Sequence, residues 1–463
     1  MAAMARLLEP ADFGLVAIAN VSLRFFSYFA QMGISPALIQ KPTLEEGDIR
    51  AALALSLGVS FVFFLLAVGS AGWVQSFFEM IGLGLVVQVL SINFLIGGFS
   101  SVSLGLLRRE NAFKQLAIIE IISYIFGYGM VGLSSAYYGA GVWALVAAFM
   151  TQTGLSAILG YAATRHSISL KHTRLQRNHF VSYGGRYSII GFVEFLSSNI
   201  DALIIGKFMG AAPAGYYSRA VLLANLPVQQ PANVLTKTLF PIMSSMGDQI
   251  DKQAMGFQLS GLLVGSYAFA VGAGIYVAAP DIVMALLGDK WLDAIPILKI
   301  LAWSVGPLYF SHVAGVTLDS MAKLGVKMRI QSSMLALLVL LLFLSAKSGD
   351  VSSIAMAIVA TEWVRFLCMA WVLVSILAIP AIDWLRVTFC IFVFATTTGI
   401  LIFLGNALVP PNISVYFRLS IDIFFGIFGL VIGFGLTRPV MSSHPSVVFL
   451  LAKQPRFKTL FGK

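Results

Sequence analysis

The chain has 463 residues, 59% of them hydrophobic and only 11% charged, and 30 Lys and Arg against 20 Asp and Glu leave a net charge of +10. A soluble domain has about a quarter of its residues charged, so this composition excludes one and reads as an integral membrane protein. No compact basic domain is present to hold nucleic acid. The two cysteines, Cys368 and Cys390, lie inside apolar runs, which argues against a disulfide framework or a thiolate metal site.

A hydrocarbon core of about 30 Å takes about 20 apolar residues per helix, and only helices or closed barrels satisfy the backbone there. Apolar runs between polar breaks predict helices near 13–33, 51–72, 83–106, 116–136, 141–163, 187–209, 214–238, 258–279, 295–319, 329–346, 352–378, 385–405 and 417–437. Assigning alternate loops to opposite sides puts twenty basic residues on one side and seven on the other, with Arg24, Lys237 and Arg365 lying deeper. The positive-inside rule makes the richer side, and with it the C-terminus, cytoplasmic. That orientation leaves residue 1 outside, with no charged leader or apolar segment in MAAMARLLEP to have carried it there, so a further upstream span is expected.

An internal repeat supports the same expectation. ADFGLVAI and PAGYYSRA align Gly14 with Gly215, 201 residues apart, and SINFLIGGFSSVSLGLLRRENAFK pairs with WSVGPLYFSHVAGVTLDSMAKLGVK at an offset of 213, Lys114 on Lys327. In the second half a helix, 187–209, precedes the span that opens at Gly215, and the first half has no counterpart before Gly14. The fold expected is an all-α polytopic membrane protein of two pseudo-symmetric lobes around a central cavity: an N-terminal lobe over 1–180, a C-terminal lobe over 181–380, and a helix pair with a basic cytoplasmic tail over 381–463. Weak internal symmetry of this kind marks transporters whose site lies between the repeats.

RLLEPADFGLVAIANV, GISPALIQKPTLEEGD, LLRRENAFK, YGAGVWALV, NIDALIIGKFMGAAPAGYYSRA and LLGDKWLDAIPIL together resemble the polysaccharide transporter, or oligosaccharide flippase, family of the multidrug/oligosaccharidyl-lipid/polysaccharide exporter superfamily. The resemblance covers nearly all of residues 5–330 and departs from the family in the absent first helix. It implies a flippase of a bacterial inner membrane, acting in lipopolysaccharide or exopolysaccharide biosynthesis and opening alternately to the two sides. It implies as cargo an undecaprenyl-pyrophosphate-linked oligosaccharide, and as partners membrane lipids and other glycan-assembly proteins, without nucleic acid, metal or cofactor.

The charges inside the spans are compatible with such a cargo. An arginine within hydrocarbon is costly and normally faces protein or water, and its planar fork fits phosphate oxygens. Arg24 leads the substrate-binding candidates, followed by Arg219 and Lys237 on the symmetry-related span; the alternatives are an ion pair between helices for Arg24 and snorkelling for Arg219. Asp201, after Asn199 in SSNIDALIIGKF, is the candidate ion-coupling carboxylate or else a partner for Arg24 or Arg219; Asn199 joins the candidate substrate-binding set. Glu120, Glu194, Glu362 and Asp422 are further carboxylates within spans, of which Glu362 is placed to pair with Arg365 along one helix. Pro227 and Pro231 in NLPVQQPANVL are expected to interrupt their span and permit a bend. None of the five histidines shows metal-ligand spacing. Two other functions fit the spans: a cation-coupled multidrug exporter, which mostly positive deep charges disfavour, and a membrane glycan polymerase, which the short outer connections disfavour.

Overall fold

The computed structural model describes residues 2–30, 38, 41, 43–170, 196, 198–245, 247, 249–410 and 413–447, side chains 27–30 and 235–242 excepted. Every regular element among these residues is a helix. The first unit of the chain carries α1 (Ala2–Leu7), α2 (Pro10–Ala30), α3 (Glu46–Phe78), α4 (Leu83–Arg109), α5 (Phe113–Tyr137), α6 (Val142–Thr164) and α7 (198–209). There follow α8 (Ala211–Ser245), α9 (Ile250–Leu286), α10 (Ala294–Ser320), α11 (Leu324–Ala346), α12 (Val351–Ile376), α13 (Ala381–Leu408) and α14 (Val415–Ser442). Ten of them, α3 to α6 and α9 to α14, are long and apolar enough to cross a membrane, and each coincides with a predicted span. The other three predicted spans, near 13–33, 187–209 and 214–238, overlap α2, α7 and α8, which run up to or through residues outside that description. Of the remaining sequence candidates, Glu194, His172 and His179 lie outside the described residues.

The helices gather into two compact units, Met1–Ser218 and Arg219–Lys463, the boundary falling inside α8. The repeat is visible in their element order. α3, α4, α5 and α6 begin at residues 46, 83, 113 and 142, and α9, α10, α11 and α12 at 250, 294, 324 and 351. The turns between them match in hydrogen bonding as well. After α4, Asn111 (φ 55°) donates to Arg108 and Ala112 to the Leu107 carbonyl; after α10, Ala322 (φ 55°) donates to Asp319 and Lys323 to Leu318. Both are left-handed helix stops that close the last carbonyls. They stand 211 residues apart, which corrects the 213 inferred from aligning Lys114 with Lys327; the backbone stop, and not the lysine, is the repeated feature.

Hydrocarbon gives helices little hydrophobic reward for meeting, so membrane helices rely on close packing through small residues. The contact between α2 and the start of α8 illustrates this. A Cβ added at Gly14 would lie 1.7 Å from the Ala211 carbonyl oxygen, and one at Gly215 would lie 1.9 Å from that of Pro10. Pro10 and Ala211, like Gly14 and Gly215, are 201 apart, so each repeat presents the same pair to the other, as in a two-fold contact. In the second unit the core is aromatic: Phe310 of α10 packs edge-on against Phe257 of α9 (5.8 Å between centroids) and Phe366 of α12 (4.9 Å). Gly261 and Gly265 of α9 leave room for that ring.

Pro227 and Pro231 do not break α8, which stays helical through Ser245. Pro231 lacks the N–H that would serve the carbonyl four residues back, which is Pro227's. The Tyr267 hydroxyl of α9 donates to that carbonyl at 3.0 Å and replaces the missing bond.

Candidate functional site

Arg24 lies on α2, exposed, inside an otherwise apolar stretch of that helix. Asn199 and Asp201 lie on α7, both half-buried. The Tyr217 hydroxyl of α8 donates to Asp201 Oδ2, while Asp201 Oδ1 accepts from the Ala202 amide at 2.8 Å. Tyr217 is fully buried at 3% exposure. Arg219 follows two residues later, about 200° around the helix from Tyr217. With Tyr217 turned to α7, Arg219 points to the other side of α8; it is half-buried with its Nε out of solvent. It stands eight residues past the start of α8, which begins three residues before the expected span. Lys237 belongs to α8, but its side chain lies outside the described residues.

The Asp201 helix is pinned at its other end. Lys207 Nζ meets Glu79 Oε1 at 2.7 Å, and Glu79 is the left-handed residue (φ 56°) that ends α3. Lys207 holds the exposed Glu79 carboxyl below the ordinary carboxylate range, by its hydrogen bond first and its charge second. Gly206 packs on Ile18 of α2 and Phe78 of α3. These contacts explain why an aspartate at this position meets Tyr217, a partner that could not be read from linear spacing.

Among the described residues each unit carries a concavity between its helices. The first, about 590 Å³, is cut between α4, α5 and α6 and lined by Asn93, Ser100, Glu120, Gln152, Thr153 and Ser156, with the Tyr124 ring beside them. Thr153 donates to Asn93 Oδ1 at 2.5 Å, fixing the amide. Glu120, which sequence reasoning could not rank, is exposed here. So many hydrogen-bonding groups on membrane-spanning helices need a polar neighbour or water. The wall beside them contains a π-helical stretch, Ile125–Gly132, within α5, a distortion that recurs at functional sites. A Cβ at Gly127 would lie 2.6 Å from the Ala148 carbonyl oxygen, so that stretch sits directly on α6. The second concavity, about 480 Å³ between α9, α10, α12 and α13, is apolar and aromatic, with Phe269, Tyr276, Trp303, Trp363 and Phe392 around it.

Glu362 and Arg365 form the expected ion pair along α12, at 3.0 Å. A signal that sequence reasoning assigned only to orientation has a structural task as well: Arg109 Nη1 donates to the carbonyls of Leu38 (2.7 Å) and Lys41 (2.5 Å). Among the described residues no group of three His, Cys, Asp or Glu side chains is placed to hold a metal ion.

Residues 3–296 match the family model for polysaccharide biosynthesis proteins. The chain is 25% identical to the teichuronic acid biosynthesis protein TuaB of Bacillus subtilis, over 87% of this chain and 84% of that protein. It is 27% identical to the succinoglycan biosynthesis transport protein ExoT of Rhizobium meliloti, over 66% and 62%, and 20% identical to the lipopolysaccharide biosynthesis protein WzxC of Escherichia coli, over 65% and 61%. Its fold is similar to the lipid II flippase MurJ in an inward closed conformation, with a TM-score of 0.72 at 11% identity over 93% of this chain and 95% of that one. A multidrug resistance MATE family transporter in an inward-facing conformation is similar at a TM-score of 0.61 and 14% identity, over 82% and 95%.

Proposed function

From the premise that the chain belongs to the polysaccharide biosynthesis protein family, and so to the polysaccharide transporters of the multidrug/oligosaccharidyl-lipid/polysaccharide exporter superfamily, we propose that it is a flippase for an anionic lipid-linked oligosaccharide. It moves an undecaprenyl-pyrophosphate-type cargo from the inner to the outer leaflet of a bacterial inner membrane by alternating access, for lipopolysaccharide or exopolysaccharide biosynthesis. Its C-terminus is cytoplasmic, and its lobes are 1–180 and 181–380 with a further helix pair in 381–463.

The observation that supports this reading is the exposed Arg24 on α2, a helix that overlaps a span expected from the sequence. A fixed cation there is expensive in lipid and useful to a diphosphate crossing a low-dielectric region. Arg219, Lys237 and Asn199 join it in binding cargo, and Asp201 is the ion-coupling carboxylate, its charge steadied by Tyr217. The polar cleft beside Asn93 and Thr153 offers hydroxyl and amide partners to sugar hydroxyls, and the aromatic groove beside Trp303 and Trp363 offers surface to an isoprenoid chain. A cationic drug would meet repulsion from Arg24 and Arg219, which sets the multidrug-exporter reading behind this one.

The test is a leaflet-translocation assay in vesicles holding the full chain and a fluorescent undecaprenyl-pyrophosphate-linked oligosaccharide. Wild type transfers the sugar across; Arg24→Ala slows transfer roughly 10–100-fold, the worth of one charge-assisted hydrogen-bonded contact, and Arg24→Lys retains part of the rate. Sugar left entirely on its starting leaflet by wild type overturns the reading.

A further inference from the structure

The cleft between α4, α5 and α6 holds hydrogen-bonding groups of two kinds. Some are spent on one another: Asn93 Nδ2 donates to the Leu90 carbonyl and to Met150 Sδ, both at 3.0 Å, and Asn93 Oδ1 accepts from Thr153. Others are unused. Glu120 of α5 and Gln152 and Ser156 of α6 line the cleft, and among the described residues none of these three side chains has a hydrogen-bonding partner. Gln152 and Ser156 stand four apart and so share one face of α6, as Glu120 and Tyr124 share one face of α5. The exposed Tyr124 ring lies beside the apolar Ile121 and Ile125 in the same wall. The two walls are set close together: a Cβ at Gly127 of α5 would lie 2.8 Å from the Gln152 Cβ.

The chemistry of these unused groups selects among ligands. A metal cation uses acceptors only, whereas the Gln152 amide nitrogen and the Ser156 hydroxyl are donors. An anion meets the Glu120 carboxylate, and no lysine or arginine lines the cleft to offset that charge. Glu120 stands seven residues into α5, on the order of 10 Å from its start, where a carboxylate facing hydrocarbon is costly. A sugar ring answers all of these features. Its hydroxyls both donate and accept, two adjacent ones can donate to the two oxygens of one carboxylate, and its C–H face can lie on an aromatic ring. Pockets of this kind combine apolar and aromatic walls with a few placed polar groups.

We propose that Glu120, Gln152 and Ser156, with the Tyr124 ring, form a subsite for one non-acidic pyranose of the glycan, and that Glu120 excludes a uronic acid from that place. The subsite rests on the flippase reading and adds to it which sugars pass. It shares no residue with Arg24, Arg219, Lys237, Asn199 or Asp201, so sugar selection and pyrophosphate binding are separable by substitution.

The experiment is leaflet translocation by the full chain in vesicles with two fluorescent probes, an undecaprenyl-pyrophosphate-linked oligosaccharide of glucose units and the same oligosaccharide of glucuronic acid units. Wild type is expected to move the glucose probe at least about tenfold faster, since a site built to accept hydroxyls discriminates against a repelled group. Glu120→Gln keeps the shape and removes the charge, and is expected to narrow that ratio by speeding the glucuronic acid probe, a gain that misfolding cannot produce. Gln152→Ala and Ser156→Ala should each slow the glucose probe roughly 2–10-fold, the worth of one hydrogen bond. Transfer of neither probe by wild type overturns the flippase reading and the subsite with it. Equal transfer of both probes by wild type, or a ratio that Glu120→Gln leaves unchanged, overturns the subsite while the flippase reading stands. A sodium-dependent rate that Glu120→Gln makes sodium-independent, at an unchanged sugar ratio, makes Glu120 an ion ligand and likewise overturns the subsite.

Discussion

His444 shows how a residue outside the proposed cargo site shapes the stability of the chain. It sits just past α14, 3% exposed, and its Nδ1 accepts from the Ser446 amide at 3.4 Å; Ser446 in turn donates to Gln258 Oε1 of α9 at 2.9 Å. Burial pushes the imidazole below its ordinary 6.5, more strongly than the neighbouring Asp383 pulls it up. A group with a depressed folded-state pKa takes up protons more readily when the chain is unfolded, so its stabilising contribution is present above 6.5 and is lost as the pH falls through the folded value. The melting temperature is expected to drop between pH 7.5 and 5.5, and His444→Gln to flatten that drop; an unchanged slope in the variant would assign the drop elsewhere. The sequence marked His444 only as lacking metal-ligand spacing. The residues that interact with it, Asp383 and Arg386, belong to α13, about 60 residues earlier in the chain, and no local pattern encodes that meeting.

At the scale of elements, hydropathy located ten of the helices because a bilayer demands continuous apolar length. It could not locate the π-helical turn in α5, which depends on how that helix lies against α6. Nor could it foresee that Tyr267 would keep α8 helical past Pro231. The glycine pair is the opposite case: the repeat alignment singled out Gly14 and Gly215, and the structure gives the reason in the backbone contact of α2 with α8. Gly14→Ala and Gly215→Ala would each improve helix propensity by about 1 kcal/mol. The Cβ would nevertheless collide with a carbonyl oxygen at less than 2 Å, and overpacking of that kind costs about 1–3 kcal/mol or more. Both variants are therefore expected to melt below wild type, with Gly14→Ala/Gly215→Ala destabilised by less than the sum, since the first forced separation of the helices makes room for the second methyl. Melting above wild type would mean that the helices part freely at this point.

For the whole molecule, the distribution of basic residues makes one claim that can be checked directly. Tyr138, in the connection from α5 to α6, is 84% exposed, and Ile168, after α6, is 60% exposed; the charge count puts the first outside and the second in the cytoplasm. In a Cys368→Ser/Cys390→Ser background, Tyr138→Cys is expected to react with an impermeant maleimide in intact cells and Ile168→Cys only after the inner face is opened. The reverse labelling would invert the assigned orientation.

The sequence by itself determined the solvent of this protein, its helical architecture and its repeat, because length, hydropathy and periodic small residues act locally and the bilayer admits few alternatives. The Glu362–Arg365 pair was legible for the same reason, being three residues apart on one helix. Only the tertiary structure decided which polar side chains meet. The match of Asp201 with Tyr217, the cleft beside Asn93 and Thr153, and the cluster of Asp281, Asn406 and Asp422 join different helices. Such pairings follow from how helices rotate and settle against one another, and that is set by packing in three dimensions.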